Sequence, residues 1–191
     1  MELRDIILSR RSVRKYDDKP ISDEVVSEIM DTAVWAPSGV NRQPWYFVVV
    51  KSAEARLKLQ DLLTRTRELL EPDLRARLKD HPQVVKETLE FMETMGGAPV
   101  IILAFTQVDY DDAKQNSDAA QGVAAAIQNI LLLAYEKGIG TCWTSASLRV
   151  AAEMESRYAE GKGRYLGMIS LGYGDFPANG QPRKPGRVKY I

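Results

Sequence analysis

Residues 117–138 read SDAAQGVAAAIQNILLLAYEKG, and this stretch decides the architecture. Ser117 and Asp118 offer N-cap chemistry and Gly138 a C-terminal stop, which predicts the longest helix of the chain from 118 to 137. Val123, Ile127, Ile130 and Ala134 fall on one face. Ala126, Leu133 and a row of further alanines make the helix apolar nearly all round, and such a helix is buried on every side. A chain of 191 residues achieves this by covering one face with a second subunit. The expectation is a homodimer with this helix against its counterpart.

Working outward, Leu3, Ile6 and Ile7 mark a short first helix ending near Ser9, followed by a polar loop from Arg10 to Pro20. Ser22 caps a second helix, with Asp23 and Glu24 suited to its N-terminus. Val25, Ile29 and Ala33 share a face, and Pro37 lies beyond its end. Pro37 to Pro44 is a loop and Phe47 to Val50 a β-branched strand. Residues 53–70 read as an exposed, charged helix. Pro72 and Pro82 bracket a charged stretch before another helix at 83–95, and Val100 to Phe105 is a buried strand. Further strands are expected at 140–145 and 165–171, a helix at 149–159, and an extended tail over 174–191. Helices around a few strands without βαβ alternation define an α+β class. Residues 1–191 read as one domain, with a helical insertion at about 51–97 of the kind that forms lids.

Composition narrows the chemistry. Equal numbers of basic and acidic residues, 26 of each, argue against a nucleic-acid partner, which demands surplus cations. The single cysteine, Cys142, excludes an internal disulfide and a cysteine zinc site. The single histidine, His81, argues against His-based metal sites and a Ser-His relay. No apolar run is long enough for a membrane span, and the charged N-terminus shows no secretory signal. A cytoplasmic protein is expected. The charge is also unevenly placed. Basic side chains outnumber acidic ones over 1–20, and over 181–191 they stand with no acid at all, so both chain ends are basic.

Three segments can carry a site. Arg10-Arg11-Ser12-Val13-Arg14 packs three guanidinium groups and a hydroxyl into one short run, a donor set suited to phosphate. In Ala36-Pro37-Ser38-Gly39-Val40-Asn41-Arg42-Gln43-Pro44-Trp45, two prolines stiffen a polar loop that can grip a planar heterocycle. Thr141-Cys142-Trp143-Thr144-Ser145 brings backbone N–H groups, hydroxyls and an indole to a strand end. Cys142 reads as a small buried side chain rather than a nucleophile, and His81 as an exposed bystander. Gly138-Ile139-Gly140 follows a helix instead of preceding one, so it is no Rossmann turn, and no GxxxxGK[ST] is present.

Taken in order, these segments resemble the nitroreductase family of flavoproteins. The matching pieces are Arg10 to Arg14, Ala36-Pro37-Ser38 with Asn41, Gln43, Pro44 and Trp45, the Ala-rich helix ending at Gly138, Leu171-Gly172-Tyr173, and Pro182-Arg183-Lys184-Pro185. The resemblance implies a central, mainly antiparallel sheet flanked by helices, an intertwined homodimer, and FMN at the subunit interface. It places Arg10, Ser12, Arg14 and Arg183 on the phosphate and pyrimidine edge of the flavin, with Arg11 and Lys184 as helpers. Pro37, Ser38 and Gly39 come from the partner subunit, and Thr144 and Ser145, with Trp143 beside them, lie near flavin N5.

The implied activity is ping-pong hydride transfer from NADH or NADPH through N5 to a small-molecule electron acceptor, nitroaromatic or quinone-type, with no protein nucleophile. Alternatives are a relative with other flavin chemistry, such as reductive dehalogenation or flavin breakdown, and a non-enzymatic flavin-binding sensor. The insertion sits where the family's halotyrosine dehalogenases carry a Glu, Tyr and Lys clamp. It contains no tyrosine, which argues for nitro or quinone reduction.

Overall fold

A computed structural model describes residues 2–107, 112–176 and 182–191. Among them, four strands form one antiparallel sheet: β1 (Trp45–Val50), β2 (Val100–Thr106), β3 (Gly140–Thr144) and β4 (Arg164–Gly172), in the order β1-β2-β4-β3. β2 is buried throughout, which explains its uninterrupted apolar run. The helices are α1 (Leu3–Ser9), α2 (Asp23–Ala33), α3 (Ala53–Arg77), α4 (Pro82–Thr94), α5 (Ala113–Glu136) and the short α6 (Ala151–Met154). The α+β expectation and the mainly antiparallel sheet are thus met.

The sheet separates two apolar clusters. On one face, α2 and α5 pack Ile29, Val123, Ile127 and Ile130 against Ile102, Ile169 and Leu171. On the other, α3 and α4 pack Leu59, Leu63, Leu74, Leu89 and Met92 around Leu103, Phe105 and Met168. The helical insertion therefore shares its core with the sheet. Among the described residues, no helix is long and apolar enough to cross a membrane.

Several local readings are corrected. α3 is neither exposed nor stopped at Pro72: it runs to Arg77 and buries Leu59, Leu62, Leu63, Leu70 and Leu74. A proline inside a helix removes one donor, and this leucine stripe holds the helix together across it. α5 begins at Ala113, capped by the carboxylate of Asp112, which accepts from Lys114 N–H at 2.8 Å, rather than by Ser117 and Asp118. At 24 residues it is one shorter than α3, so it is not the longest helix. Ile127 is fully buried inside its own protomer, so it is no part of a subunit interface. The α2 reading holds throughout, with Ser22 Oγ accepting from Val25 N–H. The helix expected at 149–159 is a run of short helical turns from Ala146 to Ala159. Of the tail, residues 182–191 have no helix or strand; 177–181 lie outside the described residues.

Candidate functional site

The segment after α1 has no regular structure, yet it is tightly held. Ser12 forms a parallel bridge with Thr141 of β3, and Val13 N–H donates to Thr141 O at 2.9 Å. Tyr16 N–H reaches Gly96 O at 3.0 Å and Asp17 N–H reaches Tyr173 O at 2.8 Å. The Tyr16 hydroxyl donates to Val13 O at 2.7 Å and meets Ser170 Oγ at 2.8 Å. Two glycines make the close approach possible. A Cβ on Gly140 would stand 2.7 Å from Val13, and one on Gly172 would stand 2.7 Å from the Tyr16 ring, closer than packed atoms tolerate.

This anchoring gathers the cations. Burial, followed by the like charges of Arg11 and Arg183, pulls the half-buried Arg10 guanidinium below its usual range. The described part of the tail thus lies within electrostatic reach of Arg10, although the two stand at opposite ends of the chain. Ser12 and Arg14 face the thiol of Cys142, which burial pushes up while Arg14, Ser12 and Arg10 oppose the shift. The thiol therefore stays protonated at neutral pH and is no nucleophile.

Arg11 turns back to its own helix end, its Nη1 donating to Leu8 O at 2.7 Å and Arg10 O at 2.8 Å. Its Nε and Thr141 Oγ1 are buried without a hydrogen-bond partner. Lys184 is exposed in the tail. Repelling guanidinium groups beside buried polar atoms without partners form a donor set that fits an anion carrying further hydrogen-bonding atoms.

Beside this cluster opens a cleft of about 1190 Å³. Ser12, Arg14, Cys142, Trp143 and Thr144 line one side, and Leu70, Leu74, Glu87, Phe91 and Met92 of α3 and α4 line the other. Thr144 Oγ1 accepts from Ala146 N–H at 3.2 Å. Ser145 is exposed at the start of the following turn, and Trp143 is also exposed. Such a concave site, apolar on one wall and polar on the other, suits a flat, partly polar ligand.

The loop carrying Pro37, Ser38, Gly39 and Asn41 is not among the residues lining the cleft. It packs elsewhere, with Ser38 and Pro44 against the position of a Cβ on Gly122 of α5. Its backbone is strained, for Val40, Asn41 and Gln43 all have positive φ (46°, 54° and 50°). A β-branched valine there is rarely tolerated, and such strain clusters at functional sites. Ser38 Oγ braces the loop by accepting from Gln43 N–H at 2.9 Å.

The α3 and α4 lining and the Tyr16 anchor were missed from sequence. The stripe Leu59, Leu63, Leu70, Leu74 is a signal that could have revealed the first. No local pattern marks Tyr16, because its partner Ser170 lies far along the chain.

An antiparallel α+β protein with a cleft beside a cation cluster at the end of the edge strand β3 is the class these features define. Residues 7–173 match the family model described as Nitroreductase family, and the chain belongs to the nitroreductase family. It is 30% identical over 190 residues (98% of this chain, 92% of the other) to YfhC of Bacillus subtilis (strain 168), provisionally named an NAD(P)H nitroreductase. It is 26% identical over 191 residues to an iodotyrosine deiodinase of Thermotoga neapolitana, covering 98% of this chain and 97% of that one. The crystal structure of a nitroreductase with bound FMN from Bacteroides fragilis superposes with a TM-score of 0.73 at 25% identity. That match covers 100% of this chain and 99% of the other.

Proposed function

We propose that this protein is an FMN-dependent oxidoreductase that uses NAD(P)H to reduce nitroaromatic or quinone-type acceptors. One observation carries the reading: Ser12 and Arg14 line the cleft beside Cys142, and Arg10 lies within electrostatic reach of Cys142 and of Arg183. The FMN-bound family neighbour and the NAD(P)H named for the B. subtilis relative support it.

In this reading Arg10, Ser12 and Arg183 hold the phosphate. Arg14 lies against the pyrimidine edge, where a cation stabilises negative charge during reduction. Bound FMN supplies the two-electron relay between reductant and acceptor. The apolar wall of Leu70, Leu74 and Phe91 excludes water and takes the acceptor's flat face. Arg11 is tied to the α1 terminus through Nη1 and leaves its Nε to help hold the ligand. Lys184 adds charge from the tail. With residues 51–97 lacking a tyrosine, the cleft is read as a nitro- or quinone-reducing site rather than a halotyrosine site, despite the deiodinase relative. The pyridine-nucleotide reductant goes with a cytoplasmic setting.

Pro37, Ser38, Gly39 and Asn41 then complete the site from a second subunit. Leu3, Ile7 and Leu8 of α1 and Trp35 are exposed in the protomer, as are the tail residues Val188, Tyr190 and Ile191. A homodimer covers this surface. The purified protein is expected to be yellow, to release FMN on denaturation, and to bleach anaerobically with NADH or NADPH. Colour should return on adding a quinone or nitroaromatic compound. A protein that binds no added FMN refutes the reading.

A further inference from the structure

Three ion pairs tie α3 to the turns after β3. Asp61 takes both terminal nitrogens of Arg157, at 2.6 and 2.8 Å. Arg65 meets Glu153 at 3.1 Å, and Asp73 meets Arg149 at 3.1 Å. Positions 61, 65 and 73 ascend as 157, 153 and 149 descend, so the two surfaces run antiparallel in matched charge.

The last pair differs in what surrounds it. Leu70 and Leu74, on the same turns of α3 as Asp73, line the cleft, and so does Ala146, one turn before Arg149. Arg149 Nη1 also reaches Ala146 O at 3.4 Å. Ala146 N–H donates to Thr144 Oγ1 at 3.2 Å, and that oxygen lies 3.9 Å from Met92 Sδ of α4. A continuous chain of contacts thus runs from α3, through the floor, and back to α4 of the same wall.

We propose that Arg149 is a positioning residue that sets the width of the cleft. By holding Asp73 to the Ala146 carbonyl, it decides how large an acceptor enters. This rests on the reading of the cleft as the acceptor site. The pair is partly exposed, 34% for Arg149 and 45% for Asp73, so it contributes little to global stability and is weakened by salt. Its effect falls on geometry rather than on folding.

Binding of two uncharged aromatic probes, naphthalene and the larger pyrene, reads the width without any flavin chemistry. Their affinities are compared by fluorescence titration of the purified protein as isolated. Arg149→Ala and Asp73→Asn should each raise the bulky-to-small affinity ratio about two- to fivefold, the opening shift expected from losing a partly exposed ion pair. High salt should do the same to the unmodified protein. Arg149→Lys, which keeps a cation able to bridge Asp73 and the Ala146 carbonyl, should hold the ratio near that of the unmodified protein, and Arg157→Ala should leave it unchanged. The preference between a bulky and a small quinone should move in parallel through KM, with kcat and FMN affinity unaltered.

An unchanged ratio in Arg149→Ala, a ratio in Arg149→Lys as high as in Arg149→Ala, or an equal change in Arg157→Ala overturns the proposal. Should the protein bind no FMN while the affinity ratio of the two aromatic probes moves as stated, the flavin reading fails and the positioning role stands.

Discussion

Removing Arg10 and Arg183, singly and together, tests whether segments from opposite ends of the chain serve one anion. In the protein without ligand, the like charges of Arg11 and Arg183 act on Arg10. Each substitution to alanine therefore removes repulsion as well as a ligand contact. A charge-assisted hydrogen bond contributes about 1.5–3 kcal/mol, so each single variant should bind FMN roughly ten- to hundredfold more weakly. The signs of the smaller effects are informative. Phosphate draws the two guanidinium groups together, so the bound state carries their mutual repulsion, and either single substitution relieves it. The summed single losses count that relief twice. The double variant should therefore lose more than the sum, by about 0.5–1 kcal/mol, within the range of coupled neighbours.

Calorimetric titration of FMN into apo-protein measures all four corners of the cycle, and Arg187→Ala serves as control. Thermal unfolding adds an independent check. The apo variants should be no less stable than the unmodified protein, while saturating FMN should stabilise them less. Wild-type affinity in Arg183→Ala would return the tail to solvent and remove it from the site. A substantial loss of apo stability in Arg10→Ala would show that its role is structural.

Other outcomes follow from the packing. Gly140→Ala forces a Cβ to 2.7 Å from Val13, at a cost of about 1–3 kcal/mol. Because Val13 lies between Ser12 and Arg14, FMN titration should show weaker binding than in an equally destabilised variant elsewhere. Burial holds the Tyr16 and Tyr165 phenols above their ordinary value, so the unfolded chain ionises first. Stability should be retained below about pH 10 and fall as pH rises beyond it. Denaturant midpoints at rising pH should show that decline, and Tyr16→Phe should make it shallower. Ile127→Asp should abolish folding, as read by circular dichroism, because it places a charge in the protomer's own core. Leu8→Asp, on the exposed face of α1, should separate subunits in sedimentation while leaving a folded monomer.

Legibility followed the range of the interactions. α2 could be read whole because its cap, its acidic first turn and its apolar spacing are local. Arg10, Ser12 and Arg14 stood out for the same reason, since three phosphate-type donors so close in sequence are visible without a fold. α3 was misread because the many charged residues between 53 and 77 hid the leucine stripe and Pro72 looked like a stop. The α5 start was misplaced because Asp112 and Ser117 are both good caps, and only packing separates them. Tyr16 gave no signal, and Gly140 and Gly172 stood only inside short motifs that do not show what they face. Their role is a contact between the N-terminal segment and the strands β3 and β4, which only the fold creates.

Variation should therefore act differently on the two sides of the cleft. The floor is built from β3 and a segment locked to it by backbone hydrogen bonds and close glycine contacts, so it cannot move without disturbing the core. The opposite wall is different in kind. Leucines anchor α3 to the core, but at the cleft its geometry depends on a partly exposed ion pair that salt and single substitutions can weaken. A change in the floor alters cofactor affinity, and should shift kcat/KM for every acceptor by the same factor. A change in the wall leaves the cofactor in place and should alter the ratios between acceptors. Sorting variants by uniform against selective loss therefore separates cofactor-binding residues from those that choose the substrate. Within this fold, selectivity can change through α3 and α4 while the cation cluster is left intact.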